Sequence, residues 1–329
     1  MSPRDVVIVN TLGGALRHYT RGLVAALGHA GGRVSVTHVD EPSVHGGSGV
    51  GWVRRYLTAL WSARRTARLS GARVVVTWPV LGHLDRLIMR VVLGRRIESA
   101  LVMHDPRPLV HARGYGKRSR RIGALGQRVR VVVHSETAAT ALRDDCPDLV
   151  PELLPHPVVP RRSRVERVAV GRPVVRVLGQ FKPDRDLGLL ADIGKQLGGT
   201  CRLEIIGRRW PAVAGWDVTD EFVSEDRLDE LMATADAVLV PYKRFFQSGI
   251  AIRSLELGTP AVGPAGSSIA DLYPDERYLA TDSASSWCDA VTAAAAADPD
   301  ETRALAARAD RACRAAWTRW LGTGHAAVS

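Results

Sequence analysis

Residues 236–263 read DAVLVPYKRFFQSGIAIRSLELGTPAVG, and their punctuation decides how the chain is read. The apolar run Ala237 to Val240 has the length of a buried strand, Pro241 turns the chain, and 243–247 is an exposed segment. A helix opens at Ser248-Gly249, stops at Gly258, and gives way to a second strand at Pro260. Ser248 suits the N-cap because its hydroxyl can accept a backbone N–H one turn ahead. Gly258 suits the stop because glycine enters the left-handed region at little cost. A small polar residue plus glycine at a helix start, just past a buried strand, is where α/β proteins bind phosphate. The same pattern also makes an ordinary βαβ connection, so the surrounding chain decides.

With 329 residues the chain is too long for one compact core and suits two domains. Its apolar content of 46% and charged content of 24% are globular values. No apolar run approaches the roughly 20 residues of a membrane span, and a strand begins too early for a signal peptide. Cys146, Cys201, Cys288 and Cys313 are scattered without CxxC or metal-ligand spacing, so a reducing cytosol and no metal site are expected. The net charge of +11 is lopsided: residues 1–160 hold 23 Lys+Arg against 11 Asp+Glu, and residues 161–329 hold 22 against 23. Basic excess confined to one half suggests a polyanion, a membrane surface or a phosphorylated substrate there. No nucleic-acid motif accompanies it, so nucleic acid is not an expected partner.

The first half opens with the apolar strand VVIVN at 6–10, a turn containing Gly13-Gly14, a helix over 15–27 and a strand over 33–39. GxGxxG is missing, which argues against a dinucleotide fold. After a glycine-rich loop at 40–51, residues 52–69 predict a helix. Val53, Tyr56, Leu57, Leu60 and Trp61 form its apolar side and Arg54, Arg55, Arg64, Arg65 and Arg68 a basic one. Such a helix either faces the core or lies on anionic lipid. A strand at 73–78, a helix at 81–93 and a strand at 97–103 follow, the last delivering His104-Asp105 at its carboxyl end. Residues 107–121 read as a Gly/Arg-rich loop able to cover a phosphate-bearing acceptor. A strand at 130–133 ends in His134-Ser135, where Ser135 caps another helix. Six prolines within 147–173 mark a linker between domains.

The second half repeats the rhythm: a strand at 174–178, the loop GQFKPDRD at 179–186, a helix at 187–197 and a strand at 202–206. Ser224 opens a helix to Ala233, then comes the stretch quoted first, and two Ala-rich helices over 285–297 and 299–317 close the chain. The expected architecture is α/β: two Rossmann-like, doubly wound parallel-sheet domains over 1–160 and 161–315, facing a cleft. Residues 316–329 are expected to be a tail packing back on the first domain.

Taken in order, several marks resemble a glycosyltransferase of the GT-B architecture, close to the large retaining family often called family 4. They are Gly13-Gly14, His104-Asp105, His134-Ser135, Leu154-Pro155-His156-Pro157, the 179–185 loop, Leu239-Val240-Pro241-Tyr242, and Gln247-Ser248-Gly249 leading to Gly258-Thr259-Pro260. The resemblance implies a nucleotide-sugar co-substrate, UDP- or GDP-linked, held mainly in the C-terminal domain, with a glycan, lipid-linked or small-molecule acceptor in the N-terminal one. It implies neither a required metal nor another cofactor. Negative charge growing on the leaving diphosphate must then be met by helix N-termini and basic side chains.

Carried onto this sequence, the donor set is Gly13, Gly14, Lys182, Arg185, Tyr242, Gln247, Ser248, Gly249, Ile250, Arg253 and Glu256, with His104 and Asp105 as catalytic candidates. The chain departs from the family at two places. Gln180 stands where an Arg is usual, leaving Lys182 and Arg185 as the basic pair. Phe245 and Arg253 stand where family members carry paired glutamates, and Glu256 lies out of register. A cytosolic hexosyltransferase, peripheral on the inner membrane face through its basic half, is the leading expectation. The alternative is a degenerate binding or partner subunit. A sugar-nucleotide epimerase is disfavoured, because the second half lacks His before His325.

Overall fold

The computed structural model describes residues 5–42, 48–108, 112–161, 171–273 and 276–322. Parts of the 40–51 and 107–121 loops, residues 162–170 of the 147–173 linker, His325 and the end of the tail lie outside these residues. The chain divides into two compact units, residues 1–157 with 311–329, and residues 158–310.

The first unit is built on β1 (Val6–Asn10), α1 (Arg17–Gly28), β2 (Val34–His38), α2 (Gly49–Ser70), β3 (Arg73–Val76) and α3 (Leu84–Leu93). It continues through β4 (Ser99–Val102), α4 (Lys117–Ala124), β5 (Val129–Val133), α5 (Glu136–Asp145) and β6 (Glu152–Leu153). All six strands are parallel, in the order β2-β1-β3-β4-β5-β6. The central strands are apolar on both faces, as helices on both sides require: every residue of β1, β3 and β4 is buried.

The second unit contains β7 (Val174–Leu178), α6 (Leu187–Leu197), β8 (Arg202–Ile206), β9 (Asp217–Thr219), α7 (Glu225–Ala233), β10 (Ala237–Leu239) and α8 (Gly249–Glu256). After them come β11 (Ala261–Pro264), α9 (Ile269–Leu272), β12 (Leu279–Ala280), α10 (Ala284–Ala295) and α11 (Pro299–Gly322). Its parallel strands run β12-β11-β10-β7-β8-β9, so the winding reverses between β7 and β10. Ligands of such sheets gather outside the carboxyl ends of the strands at that reversal. In the first unit the reversal falls between β1 and β3.

Several expectations shift. Within 107–121, read as loop, a helix begins at Lys117 and runs to Ala124 as α4. The proline-rich stretch contributes β6, and β9 and β12 carried no clear strand signal, being two or three residues long. Trp61, placed on the apolar side of its helix, is 58% exposed, with the Arg64 guanidinium 4.9 Å over its ring. The buried side of α2 keeps Tyr56 and Leu60 and is completed by Ala59, Ala63 and Ala67. Residues 316–322, read as part of a tail, form the end of α11. There Cys313, Ala316, Trp317, Trp320 and Leu321 pack with Ile8, Leu23, Val75 and Val132 in the first unit's core.

Candidate functional site

In the second unit the reversal is lined by the segment after β7 and the turn after β10. Arg185 is buried, and its Nη2 donates to the Leu178 carbonyl at 2.8 Å. Its guanidinium lies between two aromatic faces, 4.8 Å from the Trp210 ring centroid and 4.6 Å from that of Tyr242. Cation–π contacts favour this sandwich. Trp210 is fixed in turn by Nε1–H donation to the Gly179 carbonyl at 2.8 Å. Burial pushes the Arg185 pKa down, while Tyr242 opposes the shift. Arg185 Nε is buried with no hydrogen-bond partner, and no carboxylate pairs with this guanidinium among the described residues. The charge cannot be shed, and among the described residues the Leu178 carbonyl and the two rings are what meet it. Lys182 is exposed on the same turn, its carbonyl accepting from the Arg185 N–H at 3.0 Å.

Helix α8 starts as its sequence dictates. Ser248 Oγ accepts from Ala251 N–H at 3.2 Å, and Gly258 follows the helix with φ of 76°. Gly249 is exposed, Gln247 half-buried, and Ile250 packs beneath into the core. The rest of the helix is occupied structurally. Arg253 donates to Asp229 and Glu225 and, at 3.0 Å, to the Glu225 carbonyl, tying α8 to α7. Burial alone would lower its pKa, but the bonds to Asp229 and Glu225 outweigh this and raise it. Glu256 accepts from the Val159 N–H at 2.7 Å through Oε1, anchoring the segment that enters the unit. Phe245 is a core residue.

In the first unit, Gly13 closes a turn at the carboxyl end of β1, its N–H donating to Val39 O at 3.1 Å, and Gly14 is exposed. Asn10 Oδ1 accepts from Leu12 N–H at 3.1 Å, an Asx-type brace of that turn. The predicted donor residues are thus divided, Gly13 and Gly14 in one unit and the others in the second.

His104 is buried after β4, and Nε2–H donates to the Thr77 carbonyl at 3.1 Å. Its ring stacks on Trp78 at 5.5 Å and meets Tyr19 edge-on at 4.6 Å. His134 and His156 complete the cluster, with ring centroids 5.2 and 6.3 Å from that of His104. Each is locked to a backbone carbonyl through Nδ1, His134 to Leu154 at 2.7 Å and His156 to Pro157 at 2.6 Å. A carbonyl only accepts, so Nδ1 carries the proton in both, and Tyr19 donates to His134 Nε2 at 2.9 Å. Burial, reinforced by neighbouring imidazoles, lowers the His134 pKa to about 3 and carries that of His156 well below its usual value. The rings therefore stay neutral at physiological pH. Asp105, next along, is half-buried.

Sequence reasoning missed Tyr19 and Trp210 and left His134 and His156 outside the site. The histidines stood in quoted motifs, but nothing in the spacing of Tyr19 or Trp210 signals that their rings back these side chains. Among the described residues, no group of three or more His, Cys, Asp or Glu is placed to hold a metal ion.

Two doubly wound, six-stranded parallel sheets in one chain define the GT-B fold, the fold of a large class of glycosyltransferases. Residues 185–319 match the family described as "Glycosyl transferase-like". No curated protein matches the sequence. Among solved structures the chain is similar to sucrose-phosphate synthase from Thermosynechococcus elongatus, at 15% identity and TM-score 0.62 over 97% of this chain and 98% of that one. It is also similar to Anabaena HepE in complex with UDP, at 12% identity and TM-score 0.60 over 96% and 97%. A third is AviGT4, a glycosyltransferase involved in avilamycin A biosynthesis, at 17% identity and TM-score 0.60 over 97% and 98%. At these identities the likeness concerns the fold.

Proposed function

We propose that the protein is a glycosyltransferase that moves a hexose-type sugar from a UDP- or GDP-linked donor to a glycan, lipid-linked or small-molecule acceptor, without needing a metal. The observation carrying this reading is the buried Arg185 guanidinium, held between Trp210 and Tyr242 at the sheet reversal without a carboxylate partner among the described residues. A diphosphate is the anion that such a position suits, and departure of the nucleoside diphosphate adds charge where a fixed guanidinium already waits. Lys182 and the N-terminus of α8 (Gln247, Ser248, Gly249) add donors to the same group. His104, buried at the end of β4 with Nε2–H donated to Thr77, is the residue we assign to holding the acceptor. Asp105 beside it is the carboxylate we assign to drawing a proton from the acceptor. Titration with a panel of UDP- and GDP-sugars tests the reading: binding of one of them, with transfer or hydrolysis, supports it, and binding of none rejects it.

Two features favour a second reading, a non-catalytic binding subunit. Phe245 is core, and Arg253 is engaged by Asp229 and Glu225. Neither position offers a carboxylate to donor hydroxyls. Detectable transfer by the purified chain excludes this alternative.

We further propose that α2 and α3 meet an anionic membrane surface. Trp61, Leu69 and Val91 are 58%, 83% and 68% exposed, amid exposed Arg54, Arg55, Arg65 and Arg68. Apolar side chains set among arginines fit an anionic lipid surface. No helix among the described residues is long and apolar enough to cross a membrane.

A further inference from the structure

Arg209, just past β8, takes a backbone conformation that its own side chain disfavours. Its φ is 63°, and among the described residues it alone, glycines aside, has a positive φ. Left-handed backbone is unfavourable for any residue with a Cβ and persists only where the surroundings impose it. The constraint here is visible: Asp220, just past β9, accepts the Arg209 N–H through Oδ1 at 2.7 Å.

The turn around Arg209 is pinned on both sides to the segment that follows β7. Gly207 passes so close that a Cβ there would lie 2.2 Å from the Gly179 carbonyl oxygen. The Arg208 carbonyl accepts from the Phe181 N–H at 2.9 Å. Trp210 ends the turn, donating Nε1–H to Gly179 O at 2.8 Å and meeting the Phe181 ring edge-on at 5.3 Å. Arg209 and Asp220 are exposed, whereas Trp210 is buried. The left-handed residue thus turns the chain from the end of β8 directly to Trp210, whose ring covers the Arg185 guanidinium at 4.8 Å. A residue in right-handed or extended conformation at 209 would send the chain elsewhere and take the ring off Arg185.

We propose that Asp220 and Trp210 are positioning residues for Arg185: Asp220 holds the backbone at Arg209 in its left-handed form, and that turn holds the Trp210 ring against the guanidinium. A guanidinium fixed in advance loses less freedom on meeting an anion, so the strained turn raises affinity. That the anion is a donor diphosphate rests on the glycosyltransferase reading, whereas the placement of Arg185 does not.

The test compares charge-matched variants of the full chain. Asp220→Asn and Asp220→Ala both remove the carboxylate charge, but only the second removes the acceptor for the Arg209 N–H. On the Asp220→Ala background, Arg209→Ala and Arg209→Gly both remove the guanidinium, but only glycine enters the left-handed region at little cost. Two quantities are read. One is the nuclear magnetic resonance of Arg185 Nε–H, assigned by its loss in Arg185→Met; the group is buried and lies within the ring currents of Trp210 and Tyr242. The other is calorimetric affinity for UDP and GDP. Asp220→Asn should keep the resonance at its wild-type position. Asp220→Ala should move it toward that of a free arginine and weaken nucleotide binding roughly threefold to tenfold relative to Asp220→Asn, the span of one net hydrogen bond. Arg209→Gly should then restore both quantities where Arg209→Ala does not. Equal resonances in Asp220→Ala and Asp220→Asn overturn the proposal, even if the two differ in melting temperature, since Asp220 would then serve stability alone. So does an Arg209→Gly that restores no more than Arg209→Ala. If the resonances follow the expected order and wild type binds neither nucleotide, the placement of Arg185 is upheld and the donor reading fails by itself.

Discussion

Tyr19 donates its hydroxyl to Nε2 of His134 at 2.9 Å, and that bond joins α1 to the strand end that carries the histidine cluster. The imidazole is neutral because burial holds its pKa near 3. In the unfolded chain the same ring titrates near 6.5, so between these values the unfolded state binds the extra proton. Stability is therefore complete above about pH 6.5 and declines as pH falls toward 3, by up to about 1.4 kcal/mol per pH unit for each such histidine. His83, lowered to about 4 chiefly by burial and then by Arg120 and Arg86, adds to the slope in the same window. Urea midpoints from pH 7 to pH 4 should fall steeply in wild type and less steeply in His134→Asn.

Removing the hydroxyl in Tyr19→Phe leaves His134 Nε2 a buried acceptor without its donor. Such a loss costs about 1–3 kcal/mol, readable as a lower denaturation midpoint at neutral pH.

Arg185→Met should weaken nucleoside-diphosphate affinity by tenfold or more, a charge-assisted contact being worth about 1.5–3 kcal/mol. Lys182→Ala, at an exposed position, should weaken it less. Equal affinities in wild type and Arg185→Met would place the diphosphate elsewhere.

Asp229 is the carboxylate shared by Arg253 and Arg161. In Asp229→Asn the buried Arg253 loses one of its two carboxylates and keeps Glu225, so about 1–3 kcal/mol of destabilisation is expected. Thermal melting checks this. A change in nucleotide affinity without loss of stability would instead return Arg253 to the donor site.

Trp61→Ser with Leu69→Ser should reduce sedimentation with vesicles rich in anionic phospholipid and leave nucleotide affinity unchanged. Equal sedimentation of variant and wild type removes α2 from the lipid contact.

Long, strongly patterned segments were legible in the sequence. The apolar run at 6–10, the Ser248 cap and the Gly258 stop all declare themselves through short-range physics, and together they imply a parallel sheet. Short edge strands such as Asp217–Thr219 do not, because three residues bear almost no periodicity. The site was legible only in part, for a different reason. Arg185 could be named from its loop, but what distinguishes it is the pair of rings around it, and Trp210 comes from beyond the next strand. Arg253 gave no sign that Asp229, 24 residues earlier, would hold it. Likewise the exposure of Trp61 follows from small alanines filling the buried face of α2, a packing fact that a helical wheel of large residues misassigns.

Helix α11 carries a consequence for how the protein is made. Trp320 lies with Arg73 and Arg130 each 4.9 Å from its ring, and Trp317 is fully buried beside it, so the first sheet's core is closed by side chains from α11. During synthesis β1 emerges roughly three hundred residues ahead of its last packing partner. The first half of a nascent chain therefore waits with an open apolar flank until translation reaches α11. That interval, rather than the mature protein, is when chaperone dependence should be greatest.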